Sequence, residues 1–168
     1  VEIEGEVYFD VKKLNGKPFV VLAKNQRITV LGTRFNVMAY SDEETIETSL
    51  LEGKVVVNIA DKAYALTPGQ RTTFHKNGGN LQISSGGVEE AVAWQAGYFK
   101  FNAEHVESVM RKIARWYDVE IAYDGNMEGK LFKGTMSRYD EVEEVLGLLA
   151  LTGTVSFKIE GRRIIVME

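Results

Sequence analysis

The sequence predicts a two-domain protein: an all-β first domain (sandwich or stacked strands) over residues 1–85, then an α+β second domain over residues 86–168. Three observations support this. Apolar and polar residues alternate in short runs through the first half, as they do in half-buried strands. In the second half, such runs alternate with apolar residues at helical spacing. Between the halves stands Ser84-Ser85-Gly86-Gly87, a small and flexible stretch typical of a domain boundary.

The first domain contains short apolar runs separated by turn residues. Val7, Phe9 and Val11 alternate with polar residues at its start. At Pro68-Gly69 the proline presets the first turn angle and the glycine takes the positive φ of the second. Closely spaced strands without a helical period predict a sandwich, a barrel or a stacked coil of strands. The further predicted strands are 19–22, 28–31, 35–40, 46–51, 55–59, 64–66 and 72–74.

The second domain mixes helices and strands. Asn102 is a candidate N-cap for a helix whose apolar residues run from Val106 to Tyr117 at three-and-four spacing. Asp140 is a candidate cap for a second helix, with Glu143 three residues later as in a capping box. The other predicted elements are a short helix at 88–94 and strands at 98–101, 119–123, 131–136, 155–159 and 164–166.

A repeat of 36 residues relates the two halves of this second domain. Val106 corresponds to Val142, and Ile121 corresponds to Phe157. Each repeat is a strand, a helix and a strand, and each leaves one apolar helical stripe uncovered. A split βαβ arrangement with two helices on one small sheet would bury both stripes, and we expect this architecture.

The composition argues against several classes of function. The 168 residues carry a net charge of -4, so no large positive field is available to hold nucleic acid. No apolar run approaches the roughly 18 residues that span a bilayer, and the first residues lack the pattern of a signal peptide.

The sequence begins without Met and directly in an alternating pattern. We therefore expect a fragment of a longer protein.

Catalytic and metal-binding motifs are missing from the sequence. It has no cysteine, which removes disulfides, zinc-thiolate sites and thiol catalysis. The two histidines, His75 and His105, lie in different predicted domains without metal-ligand spacing. There is no nucleophile elbow or phosphate loop, and the acids at 140–144 suit the solvated start of a helix. We therefore expect no enzymatic activity, no metal and no cofactor.

The end of the first long helix is the candidate partner-binding site of the second domain. Arg111, Arg115 and Trp116 stand there close together in sequence. Two interpretations remain open. Trp116 packs partly against the core with the basic residues in water, or the three residues form a docking face, because tryptophan and arginine dominate interface energies.

Five ordered segments of the first domain resemble the FecR family. They are GEVYFDV at 5–11, PFVV at 18–21, VLGTRFNV at 30–37, LEGKV at 51–55 and LTPGQ at 66–70. The second domain, with Trp94, Gly97, RWYDV at 115–119 and FKGT at 132–135, resembles the C-terminal domain that accompanies it. That domain is similar to the short signalling domain of TonB-dependent receptors and secretins.

The resemblance implies a transmembrane anti-sigma regulator anchored in the inner membrane. The sequence would be its periplasmic part, with the first strands of the β domain missing. Such a part contacts the signalling domain of a TonB-dependent outer-membrane receptor that imports iron chelates or glycans. An extracytoplasmic-function (ECF) sigma factor would bind a cytoplasmic segment that this sequence lacks. The alternative is an envelope carbohydrate-binding or secretin-like assembly module, since fold alone does not fix function.

The resemblance also implies a candidate self-cleavage site at Gly32 and Thr33. Some FecR-type proteins cleave themselves at a Gly-Thr peptide, where the threonine hydroxyl attacks the preceding carbonyl. The other interpretation is that Gly32 turns the chain and Thr33 pairs in a strand. A hydroxyl needs local activation to react.

Overall fold

The structure is a computed structural model that describes all 168 residues. The chain divides into two compact units, Val1–Val92 and Ala93–Glu168. The sequence assigns the short helix at 88–94 to the second domain, whereas the boundary between the two units comes after Val92. None of the helices combines the length and the apolar character needed to cross a membrane.

Unit 1 is built from antiparallel strands, as the alternating pattern predicts. Its elements are β1 (Gly5–Val11), β2 (Phe19–Ala23), β3 (Gln26–Val30), β4 (Thr33–Ala39), β5 (Thr45–Glu52), β6 (Val55–Ile59), β7 (Lys62–Leu66), β8 (Gln70–His75), β9 (Asn80–Ser85) and the short helix α1 (Val88–Val92). One sheet has the order β2-β3-β6-β7 and the other β1-β4-β5-β8-β9.

The core of unit 1 receives alternate side chains from both sheets. Ile28 and Val57 come from the four-stranded sheet, while Phe35, Val37 and Leu50 come from the five-stranded one, and all five are fully buried. Burial of every second residue is what a strand with one face in the core requires. The all-β fold class of this half is confirmed.

Unit 2 contains the predicted strand-helix-strand repeat. After a single 3-10 turn at Ala93–Ala96, its elements are β10 (Tyr98–His105), α2 (Val106–Tyr117), β11 (Glu120–Asp124), β12 (Leu131–Ser137), α3 (Val142–Ala150), β13 (Ser156–Glu160) and β14 (Arg163–Met167). The two helices begin 36 residues apart, and so do β11 and β13. The repeat and the α+β class are confirmed.

The strands of unit 2 form two small sheets, where the sequence predicts one. β10 pairs with β12, and a separate sheet has the order β11-β14-β13. Each helix therefore joins a strand of the first sheet to a strand of the second. The final strand β14 accounts for the second sheet, because it lies between β11 and β13 and pairs in parallel with the former and antiparallel with the latter. Both helices bury their apolar stripes in one core with these sheets.

Both predicted helix caps are wrong. Asn102 lies inside β10, which continues through a bulge to His105, and α2 starts directly after it with no side-chain cap. The first amide of α2 finds a partner elsewhere, since Val106 N donates to the Lys130 carbonyl at 3.0 Å. At α3 the cap position is Glu141 rather than Asp140, again without a side-chain hydrogen bond.

Candidate partner-binding surface

Helix α2 presents one apolar and one polar face. Val106, Val109, Met110 and Ile113 are buried in the core of unit 2, so the opposite face of this amphipathic helix is left to solvent or to a partner. Trp116 lies in the last turn and is 45% exposed. An indole this exposed, in a helix that already has a complete core face, is a candidate contact residue.

Trp116 is held in place by Arg138, a residue that the sequence does not single out. The indole Nε1 donates to the Arg138 carbonyl at 2.6 Å. The Arg138 guanidinium carbon lies 5.0 Å from the centre of the Trp116 ring and 4.5 Å from that of Phe99. These distances are within the range of cation-π attraction. Arg138 therefore links the exposed indole to the buried Phe99 ring.

Tyr139 extends this exposed area. Its side chain is 79% exposed, and its ring lies against Gly97, where an added Cβ would stand only 2.3 Å from Tyr139 Cε2. Gly97 also has a φ of +80°, so glycine is favoured there for two reasons. We call Trp116, Arg138 and Tyr139 the aromatic surface.

Two hydrogen bonds fasten the 138–140 segment to the end of α2. Besides the bond from Trp116, the Tyr117 hydroxyl donates to the Asp140 carbonyl at 2.7 Å. Burial raises the pKa of Tyr117, and the carboxylates of Asp140 and Glu141 raise it further. The phenol therefore stays protonated and remains a donor at neutral pH. The aromatic surface is thus built on a fixed main-chain segment.

The two predicted arginines lie in different surroundings from Trp116. Arg111 is close enough to Tyr123 of β11 that its charge opposes the rise in the pKa of Tyr123 that burial causes. Five helical positions separate Arg111 from Trp116, which places them about 140° apart around the helix axis. Arg115 is half-buried between them. The structure thus brings Trp116 to Arg138 and places Arg111 toward β11.

Gly32 and Thr33 lie at the start of β4. Thr33 is only 3% exposed, and its hydroxyl donates to the Lys54 carbonyl at 3.0 Å and accepts from Lys54 N at 3.4 Å. Gly32 has a φ of +80°, and a Cβ there would stand 2.7 Å from Lys13 Cβ. The peptide is therefore tightly packed, and both partners of the hydroxyl are main-chain groups.

The two histidines lie in different units. His75 ends β8 in unit 1, and His105 ends β10 in unit 2. The structure contains no group of three or more histidine, aspartate or glutamate side chains that could hold a metal ion.

Comparisons with known proteins give consistent matches. A family model described as "FecR protein" matches residues 2–56, and one described as "FecR, C-terminal" matches residues 98–166. Two crystal structures, at 1.65 and 2.50 Å, of a protein from Parabacteroides distasonis proposed to be an anti-sigma factor are similar to this chain, each with a TM-score of 0.90. Their sequences are 29% and 28% identical to it, over 98% and 99% of this chain and 78% of theirs. No curated protein gives a significant match.

Proposed function

This chain belongs to the FecR family of anti-sigma factors, and we propose that it is the periplasmic signalling part of a transmembrane regulator, anchored in the inner membrane. In this proposal it works by binding and carries out no catalysis. Its partner is the signalling domain of a TonB-dependent outer-membrane receptor. The ECF sigma factor is controlled through a cytoplasmic segment outside these residues.

The observation that carries this proposal is the aromatic surface of unit 2. Interfaces obtain most of their binding energy from a few tryptophan, tyrosine and arginine side chains, and this surface combines those three residue types. Trp116 and Arg138 are already held by hydrogen bonds and ring contacts. Little side-chain entropy would be lost when a partner covers them, which favours affinity.

The neighbouring main chain offers a second mode of contact. β10 and β12 form a sheet of only two strands, so each has an edge that no strand of its own sheet pairs. A partner strand can extend such an edge through main-chain hydrogen bonds. Gly97, against which the Tyr139 ring lies, directly precedes β10, so one partner could use both.

For a signal to cross the envelope, the receptor must bind one conformation of the regulator more tightly than another. Receptor binding with equal affinity for both conformations would leave the sigma factor unaffected. We therefore expect receptor binding at unit 2 to change the equilibrium that governs the cytoplasmic segment.

Calorimetric titration with the signalling domains of the TonB-dependent receptors of the same organism tests the proposal. Tyr139→Ala is the most informative variant, because a side chain this exposed contributes little to folding. We expect it to weaken binding about tenfold or more, which corresponds to about 1.4 kcal/mol. Glu128→Ala, at an exposed position before β12, is the matched control and should bind as the unmodified chain does.

Two results would count against the proposal. One is the absence of binding to any of these receptor domains by a folded chain. The other is an affinity that is the same for Tyr139→Ala, Trp116→Ala and the control. A glycan array probed with the same protein would support the carbohydrate-binding alternative if it showed specific retention that Tyr139→Ala abolishes.

A further inference from the structure

Helix α3 exposes apolar residues on its outer face. Val145, Leu146 and Leu149 are buried in the core of unit 2, as expected for its inner face. On the outer face, however, Leu148 is 48% exposed and Leu151, directly after the helix, is 82% exposed. A surface helix of a globular protein usually carries polar residues on the side opposite the core. The outer face of α3 is instead apolar in its C-terminal half.

Gly147 lies on the same outer face. It is an interior position of α3, where glycine is less favourable than alanine. Its φ is not positive, and a Cβ built on it would meet nothing within 4 Å. No turn and no neighbour in this chain therefore requires a glycine. A flat spot beside exposed leucines lets another helix approach closely, since interaxial distance depends on the side chains at the contact.

Acidic residues occupy the other end of this stripe. Glu144, Leu148 and Leu151 follow one another at i, i+4 and i+7, and so share one side of the helix. Glu141 and Glu143 stand beside Glu144 and are also exposed, and the last turn contains no basic residue. A partner that covers the leucines must also face these carboxylates. Complementarity then requires lysine or arginine at the corresponding end of the partner.

A second copy of this chain does not fit this surface. A parallel pairing of α3 with α3 would bring acids against acids, and an antiparallel pairing would place the acids opposite the last turn, which contains no basic residue. Pairing α3 with the side of α2 that carries Arg111 and Lys112 would be heterologous, and such contacts produce open chains unless the rotation closes. Lys112 of that side is also engaged by Glu104 at 2.6 Å.

We propose that the outer face of α3 docks a helical segment of another protein, one with small and apolar residues opposite Gly147 and lysine or arginine opposite Glu141 and Glu144. This surface shares no residue with the aromatic surface, although Glu141 and Glu144 lie near Tyr117, as Arg138 does. The inference goes beyond the proposed receptor contact and does not depend on it.

Site-specific photo-crosslinking in the full-length protein, expressed in its native host, tests this inference. Leu148→benzoylphenylalanine places the probe on the surface, and Glu128→benzoylphenylalanine is the control. Mass spectrometry of the crosslinked peptide should identify a segment with an apolar helical stripe flanked by lysine or arginine. Adding Gly147→Ala should lower the yield about tenfold, because a methyl group crowds the close approach.

The same Gly147→Ala change should raise the melting temperature of the isolated chain by about 4 °C, since alanine is the better helix former. A loss of crosslinking with a gain in stability excludes misfolding as the cause. Adding Glu144→Lys to the probe variant should also reduce the yield.

Four results would each overturn the inference: a yield at Leu148 no higher than at Glu128, crosslinks only to a second copy of this chain, a crosslinked segment without basic residues, or a yield that neither Gly147→Ala nor Glu144→Lys changes.

Discussion

The hydrogen bonds from Trp116 and Tyr117 should determine how firmly the 138–140 segment is held. Trp116→Phe keeps an aromatic ring near Arg138 but removes the N–H that donates to the Arg138 carbonyl at 2.6 Å. Tyr117→Phe removes the hydroxyl that donates to the Asp140 carbonyl at 2.7 Å. Both changes conserve most of the side-chain volume, so they test the hydrogen bonds with little disturbance of packing.

The expected effect follows from the strength of such bonds. Each contributes about 1 kcal/mol net, which corresponds to about fivefold in the opening equilibrium of the segment. The amide of Arg138 reports that equilibrium, because it donates to the Gly97 carbonyl at 2.8 Å. Hydrogen exchange measured by NMR should therefore be about fivefold faster in each single variant. It should be about 30-fold faster in the double variant if the two bonds act independently.

Tyr123→Phe is the control, because Tyr123 lies in β11, whereas the segment follows β12. It should leave the exchange of the Arg138 amide unchanged. Unchanged exchange in both Trp116→Phe and Tyr117→Phe would refute the idea that these side chains fasten the segment, and the aromatic surface could not be regarded as prearranged.

Three further predictions concern stability, pH and processing. The Lys76 ammonium donates hydrogen bonds to three main-chain oxygens of the 40–43 loop. Lys76→Met should therefore destabilise unit 1 by about 2 kcal/mol. An unchanged urea midpoint would contradict this prediction. The raised pKa of Tyr117 means that its stabilising contribution is complete below the ordinary value of 10.0 and is lost as the pH rises through the raised pKa. Tyr117→Phe should therefore flatten the fall in melting temperature at alkaline pH, and an identical fall in the variant would argue against it. If Gly32 and Thr33 form a self-cleavage site, the purified full-length protein should yield a fragment starting at Thr33, and a Thr33→Val variant should not; a single intact mass would remove the hypothesis.

The strands and the helices with one buried face could be predicted because their patterns are local. Alternation such as Phe35, Val37 and Ala39 specifies which face of β4 enters the core. The sequence does not predict strand β9, since its few apolar residues stand between turn residues and small polar ones. It is an edge strand whose side chains are mostly exposed, and its existence depends on pairing with β8.

The candidate site was only partly predictable. Trp116 was identified from its position at the end of a helix beside basic residues. Arg138 and Tyr139 were not, because their meeting with Trp116 and Gly97 depends on how β12 is placed beside β10. The predicted cap of α2 is wrong for a similar reason: the first amide of α2 bonds to the distant Lys130 carbonyl, a contact that no local motif predicts.

The most direct test of receptor binding at unit 2 uses the indole N–H signals of the ¹⁵N-labelled chain. The chain has only two tryptophans, and Trp116→Phe identifies which signal belongs to Trp116. On addition of the unlabelled receptor signalling domain, we predict that the Trp116 indole signal and the amide of Tyr139 shift or broaden in proportion to the bound fraction. A saturated complex in which both signals stay unchanged, while other signals of the chain move, would contradict the account.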